Sequence, residues 1–193
     1  MPANRILDTT YGLFFQDRVQ DVTLEGISKA SGIPVEEIIA IYPTLDDITK
    51  TLAKRSITKL KKDGLELAKV KGIEALRQLV SNDIKFFYRV EIDRKLLTPQ
   101  TMVGHESALK LFDDYFNIEM PEIYGKFLKN NPELLPSEDI NIEFYAHFIS
   151  HSLKFFNFAT LETYESTSEG RKAVTELIIG SLFGLDFLEL PKF

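Results

Sequence analysis

Residues 22–42 read VTLEGISKASGIPVEEIIAIY, and their punctuation decides the fold. Thr23 stands before Leu24 as an N-cap, because its hydroxyl can accept from the free N–H groups of a first helical turn. Leu24, Ile27 and Ala30 follow at helical spacing and are expected to point inward. Gly32 suits the left-handed turn that ends such a helix. Pro34 fits the first turn of the next helix, where its missing N–H costs nothing. Glu36 and Glu37 in that turn favour the helix dipole. Pro43 closes the segment. The stretch predicts two short helices joined by a tight glycine turn.

The pattern extends in both directions. Upstream, residues 4–16 place Ile6, Leu7, Thr10, Tyr11, Leu13 and Phe14 on one broad helical face. Downstream, Thr44 with Asp47 makes a capping box for a helix running from about 44 to 62. Asp63-Gly64 and Gly72 are weak breaks, so this helix is free to continue into 65–70. Residues 73–90, 102–118 and 121–130 also read as helix, with a break before Pro121. Asn130-Asn131-Pro132 and Leu135-Pro136-Ser137 mark a loop. Residues 138–163 and 168–184 are the last helices. The latter presents Ala173, Val174, Leu177, Ile178, Ser181 and Leu182, with Gly180 and Gly184 four apart. The expected fold is all-α. An N-terminal three-helix domain over 1–48 precedes a larger antiparallel helical bundle over 49–193, and the helix at about 44–62 links them.

The 193 residues are 44% hydrophobic and 27% charged, enough for a packed core. There is no cysteine, which removes disulfides, thiolate metal sites and thiol nucleophiles. No apolar run approaches the roughly 20 residues of a membrane span. MPANRILDTT lacks a secretory signal's basic-then-apolar plan, so a soluble cytoplasmic protein is expected. Net charge is -6 but uneven. Residues 1–48 hold 3 bases and 8 acids, 49–62 hold 6 bases and no acid, and 63–193 hold 14 bases and 21 acids. The basic block lies wholly on the fourth helix.

Residues 5–55 resemble the N-terminal domain of the tetracycline-repressor (TetR) family of bacterial regulators. Phe14 or Phe15 matches the aromatic ending the first helix, Thr23 the cap, and Ile27-Ser28 the usual Ile-Ala pair. Ser31-Gly32-Ile33-Pro34 matches the turn and Ile38 the core position of the third helix. Tyr42, Thr44 and Ile48 stand where Phe, Ser or Asn, and Leu are usual. Two positions depart: Ile39 replaces a usual Tyr and Leu45 a usual Lys, both of which commonly reach the phosphate backbone. The resemblance implies a ligand-responsive transcriptional regulator that acts as a repressor, and not an enzyme. It would bind a palindromic operator in double-stranded DNA as a homodimer. The dimer would form through residues 138–163 and 168–184 in a four-helix bundle. DNA contacts would fall on Thr23, Pro34, Val35, Glu37, Tyr42, Thr44, Lys50 and Lys54. The alternative is a small-molecule-binding or protein-interaction module of the same fold that has weakened or lost DNA binding.

Residues 73–193 are rich in Phe and Tyr, whose rings can pack as core or line a cavity. With the family's ligand-binding domain in mind, a small apolar or aromatic effector is expected at Phe87, Met102, His105, Tyr115, Phe144, His147, Phe148 and His151. His147 and His151 are i, i+4, with Glu143 one turn earlier. Three readings stay open for this set: a metal site, a polar lining of a cavity or dimer seam, and plain surface histidines. Phe144, Phe148 and Phe155 suggest that the same helix surface touches the core. No metal or cofactor is assigned. No nucleophile elbow, Walker loop or dinucleotide fingerprint is present.

Overall fold

A computed structural model describes the backbone of residues 1–16, 18–96, 105–160 and 168–183, without the side chains of 15, 19, 87–96, 154–160, 168 and 171. The architecture is all-α: three N-terminal helices and a larger helical bundle. The helices are α1 (Pro2–Phe15), α2 (Leu24–Ser31), α3 (Val35–Ile41), α4 (Leu45–Leu67) and α5 (Ile73–Leu96). After them come α6 (Glu106–Asp114), a π turn (Tyr115–Glu119), α7 (Met120–Asn130), α8 (Ile142–Thr160) and α9 (Ser168–Phe183). Two compact units form, one from residues 1–58 and 91–113, the other from 59–90 and 114–193.

In the first unit, Ile6, Leu7 and Leu13 of α1 meet Val22, Ile27, Ile33, Ile38 and Ile48 in one apolar cluster. Phe14, Leu24, Tyr42, Leu45 and Leu52 pack around it. Each fully buried isoleucine contributes about 2 kcal/mol by leaving water, so α2 and α3 are held mainly by Ile27 and Ile38. Tyr11 was expected inward but is 49% exposed, because at 100° per residue it falls outside the Ile6–Leu13 arc. Ala30 is also exposed, and Ser31 takes the buried place beside the turn. Ser31 is tolerated there because its hydroxyl accepts from the Ile33 N–H at 3.2 Å.

The caps follow the local chemistry. Thr23 Oγ1 accepts from the Gly26 N–H at 3.0 Å. Gly32 adopts φ 68°, and its N–H bonds back to the Ser28 carbonyl. Pro34 is itself the N-cap of α3, in extended conformation, rather than a first-turn residue. Asp47 N–H donates to Thr44 Oγ1 at 3.2 Å, while Thr44 N–H donates to Asp47 Oδ2 at 3.1 Å, a reciprocal capping box.

In the second unit, α4 passes through Asp63-Gly64 without a break. A methyl group at Gly64 would stand 3.2 Å from Ile123, so the glycine serves close packing against α7. The expected break before Pro121 is instead the π turn. Met120 N–H reaches back five residues to the Tyr115 carbonyl, and this wider turn precedes a proline that would crowd a regular helix. α8 begins at Ile142 rather than near 138. Asn141 caps it, with Oδ1 accepting from the Phe144 N–H at 2.9 Å. Residues 161–163 and Gly184 lie outside the described residues.

Asn131 ties the α4–α5 turn to the end of α7. Its Nδ2 donates to the carbonyls of Phe127 (2.9 Å) and Val70 (3.2 Å), and its Oδ1 accepts from the Gly72 N–H at 2.7 Å. Arg77 on α5 pairs with Glu176 on α9 at 2.9 Å, and this partnership raises the guanidinium pKa further. No described helix is long and apolar enough to cross a membrane.

Candidate functional site

The first candidate surface is built by α2, α3 and the start of α4. Ile38 is wholly buried and fixes the rotation of α3. At 100° per residue, Glu36 and Ala40 then point directly outward, with Ile39 on one flank and Glu37 on the other. All four are exposed, Ile39 by 42%. Val35 and Tyr42 are half-buried; Tyr42 packs on the core, and burial raises its hydroxyl pKa. Pro34, Thr23 and Thr44 are exposed, but the two threonine hydroxyls are engaged in caps. Lys50 and Lys54 stand one turn apart on α4, both exposed, with no ion pair among the described residues. Arg55 differs, being paired with Asp8 at 3.2 Å. The outward side of α3 is therefore acidic and apolar, and the nearest cations along the chain are Lys29 on α2 and Lys50 on α4.

A second locus lies inside the larger unit, and of the expected effector residues Tyr115 belongs to it. Asp83 of α5 is buried, and both its oxygens accept from tyrosine hydroxyls: Oδ1 from Tyr115 at 3.2 Å and Oδ2 from Tyr124 at 2.8 Å. Desolvation pushes the Asp83 carboxyl up to about 7, although the two hydroxyl donors pull the other way. Burial and the neighbouring Asp83 drive both tyrosines well above their ordinary pKa, so they remain neutral donors. Phe86 packs edge-on against Tyr115 and Phe116, closing an aromatic wall beside the acid. Asp83 occupies the apolar register of Leu76, Leu79, Val80 and Ile84. A carboxylate at such a position was the signal available in the sequence.

The described effector residues are distributed over both units. His105 is buried in the first unit, with its ring edge-on to Phe14 at 5.9 Å. Burial lowers its pKa against the opposing charges of Asp46 and Glu106, so it is neutral at pH 7. Tyr115 belongs to the buried acid of the second unit. Phe144, His147, Phe148 and His151 form an outward strip on α8, with Phe144 72% and Phe148 48% exposed. The expectation that this surface touches the core is corrected: Tyr145, Ala146, Ile149 and Leu153 face inward instead. Tyr145 anchors that side by donating its hydroxyl to the Leu182 carbonyl of α9. The His147 and His151 rings lie nearly parallel, 6.5 Å between centroids. Among the described residues, no three His, Cys, Asp or Glu side chains converge as a metal site. The Phe87 side chain and all of Met102 lie outside the described residues.

Compared with protein-family models and with curated proteins, the chain matches none.

Proposed function

We propose that the chain is a ligand-responsive, DNA-binding transcriptional regulator of the tetracycline-repressor type, acting as a repressor in the cytoplasm. One observation carries this reading. α3 follows a left-handed glycine turn, is docked by a single buried isoleucine, and offers its opposite side to solvent. A helix held this way suits insertion in a major groove, with Lys50 and Lys54 available for phosphate contacts. Two copies pair through α8 and α9, whose outward strip of Phe144 and Phe148 is covered in the dimer. The operator is then a palindrome. A small apolar or aromatic effector binds the aromatic second unit and shifts the population of DNA-competent dimers. No catalytic step is assigned.

The direct test is fluorescence anisotropy with duplex fragments taken from upstream of the chain's own gene. Binding at low salt is expected, and Lys50→Ala with Lys54→Ala weakens it at least tenfold on every bound sequence. Failure of the wild type to bind any duplex at low salt ends this reading. A second reading is favoured by Glu36 and Glu37 on the outward side of α3, where phosphate repels them: a helical small-molecule-binding or protein-interaction module with DNA binding lost.

A further inference from the structure

The outward side of α3 has a chemistry of its own, and it narrows the kind of sequence such a helix can read. Its centre line is Glu36 and Ala40, and its flanks are Glu37 and Ile39. No hydrogen bond or ion pair engages the carboxylate of Glu36 or of Glu37 among the described residues. The exposed side holds only carboxylate acceptors and aliphatic carbon, with no Arg, Lys, Asn or Gln.

Major-groove edges respond differently to such a face. Guanine presents two acceptors, N7 and O6, which repel a carboxylate. Adenine presents a donor beside an acceptor, so a carboxylate meets one attraction and one repulsion. Cytosine presents the N4 amino donor, whereas thymine presents the O4 acceptor, which repels a carboxylate, beside a methyl group that seats against aliphatic carbon. Resting on the DNA-binding reading above, we propose that α3 reads pyrimidine edges. Glu36 and Glu37 accept from cytosine N4 groups, Ile39 and Ala40 pack on thymine methyls, and guanine is excluded from the contacted strand positions. The affinity that the acidic helix lacks comes from outside it, through Lys50 and Lys54 of α4 on the phosphates. Glu36 and Glu37 thus act as specificity-determining residues that reject more strongly than they attract.

The test is selection by the full-length protein from a randomised duplex library at low salt, repeated with E36Q and with E37Q. Both positions are exposed, and circular dichroism checks that each variant folds. The expected result is paired half-sites with C or T at the positions covered by α3 and guanine depleted there. Each Gln variant moves one cytosine position toward adenine, whose N6 and N7 a carboxamide can engage together, changing the C-to-A preference about tenfold. Retention of DNA with guanine enriched at those positions, or with preferences unmoved in both variants, overturns the pyrimidine readout while leaving DNA binding intact. If nothing is retained from the library at any salt concentration, the readout falls together with the DNA-binding reading.

Discussion

The Tyr124 hydroxyl donates to Asp83 Oδ2 at 2.8 Å, and both side chains are shut away from water. With Tyr115 on the other oxygen, the acid is satisfied without a cation among the described residues. Its pKa stands near 7 because burial outweighs those two bonds. The folded state therefore holds a proton on Asp83 through a range where the unfolded chain has released it. Stability falls as pH rises from about 4 to about 7 and levels off above that. The full shift corresponds to about 4 kcal/mol. Urea unfolding between pH 5 and pH 8 checks this. Asp83→Asn, which cannot ionise, flattens the pH dependence over that window; an unchanged slope in the variant contradicts the assignment.

Removing one donor from the same acid has a predictable direction. Tyr124→Phe takes away a bond that favours the ionised form, so the Asp83 pKa rises further. Carbon-13 titration of the Asp83 carboxyl reads this directly. A downward move contradicts the placement of Tyr124.

Asn131→Ala leaves the Gly72 N–H and the Val70 carbonyl without their side-chain partner, along with the Phe127 bond. Three bonds at about 1 kcal/mol each give roughly 3 kcal/mol of lost stability. Asn130→Ala, whose side chain bonds the carbonyls of Lys69 and Ala68 at 3.0 and 3.5 Å, costs roughly 1 kcal/mol. Equal losses in denaturant titration contradict the role given to Asn131.

Gly26→Ala opposes helix propensity. Alanine is favoured in a helix by about 1 kcal/mol, yet a β-carbon at 26 runs into the Asp21 carbonyl oxygen. A lower Tm is expected, with the loss centred on α2. Gly32→Ala also lowers stability, by about 1 kcal/mol, because φ 68° places a β-carbon in the left-handed region. A gain in Tm for either variant contradicts these backbone placements.

Phe144→Ser with Phe148→Ser tests the pairing surface. Both rings are exposed on α8, so the protomer is expected to keep its fold while the proposed seam is lost. Sedimentation equilibrium is expected to give a dimer for the wild type and a monomer for the double variant. A variant that remains dimeric places the seam elsewhere.

What could be read in advance was local. Thr23, Gly32 and the Thr44–Asp47 box obey rules that involve residues no more than four apart, and their geometry follows the sequence closely. Choosing a face was harder where a helix is apolar nearly all round. α8 carries Phe144 and Phe148 as well as Tyr145 and Ile149, and only packing against α7 and α9 selects the second pair for the interior. The apolar register of α5 marks Asp83 as out of place, but its partners are 32 and 41 residues away, beyond the reach of any periodicity. His105 was grouped with the other histidines by chain position, but it packs on Phe14 of α1.

The salt dependence of duplex binding bears most directly on whether α3 meets DNA. If Lys50 and Lys54 of both copies each neutralise a phosphate, four counterions are displaced, and the logarithm of the binding constant falls with the logarithm of salt at a slope of about -3.6. A slope near that value that halves in Lys50→Ala with Lys54 intact supports the regulator. Binding that does not change with salt, or no binding at low salt, contradicts it.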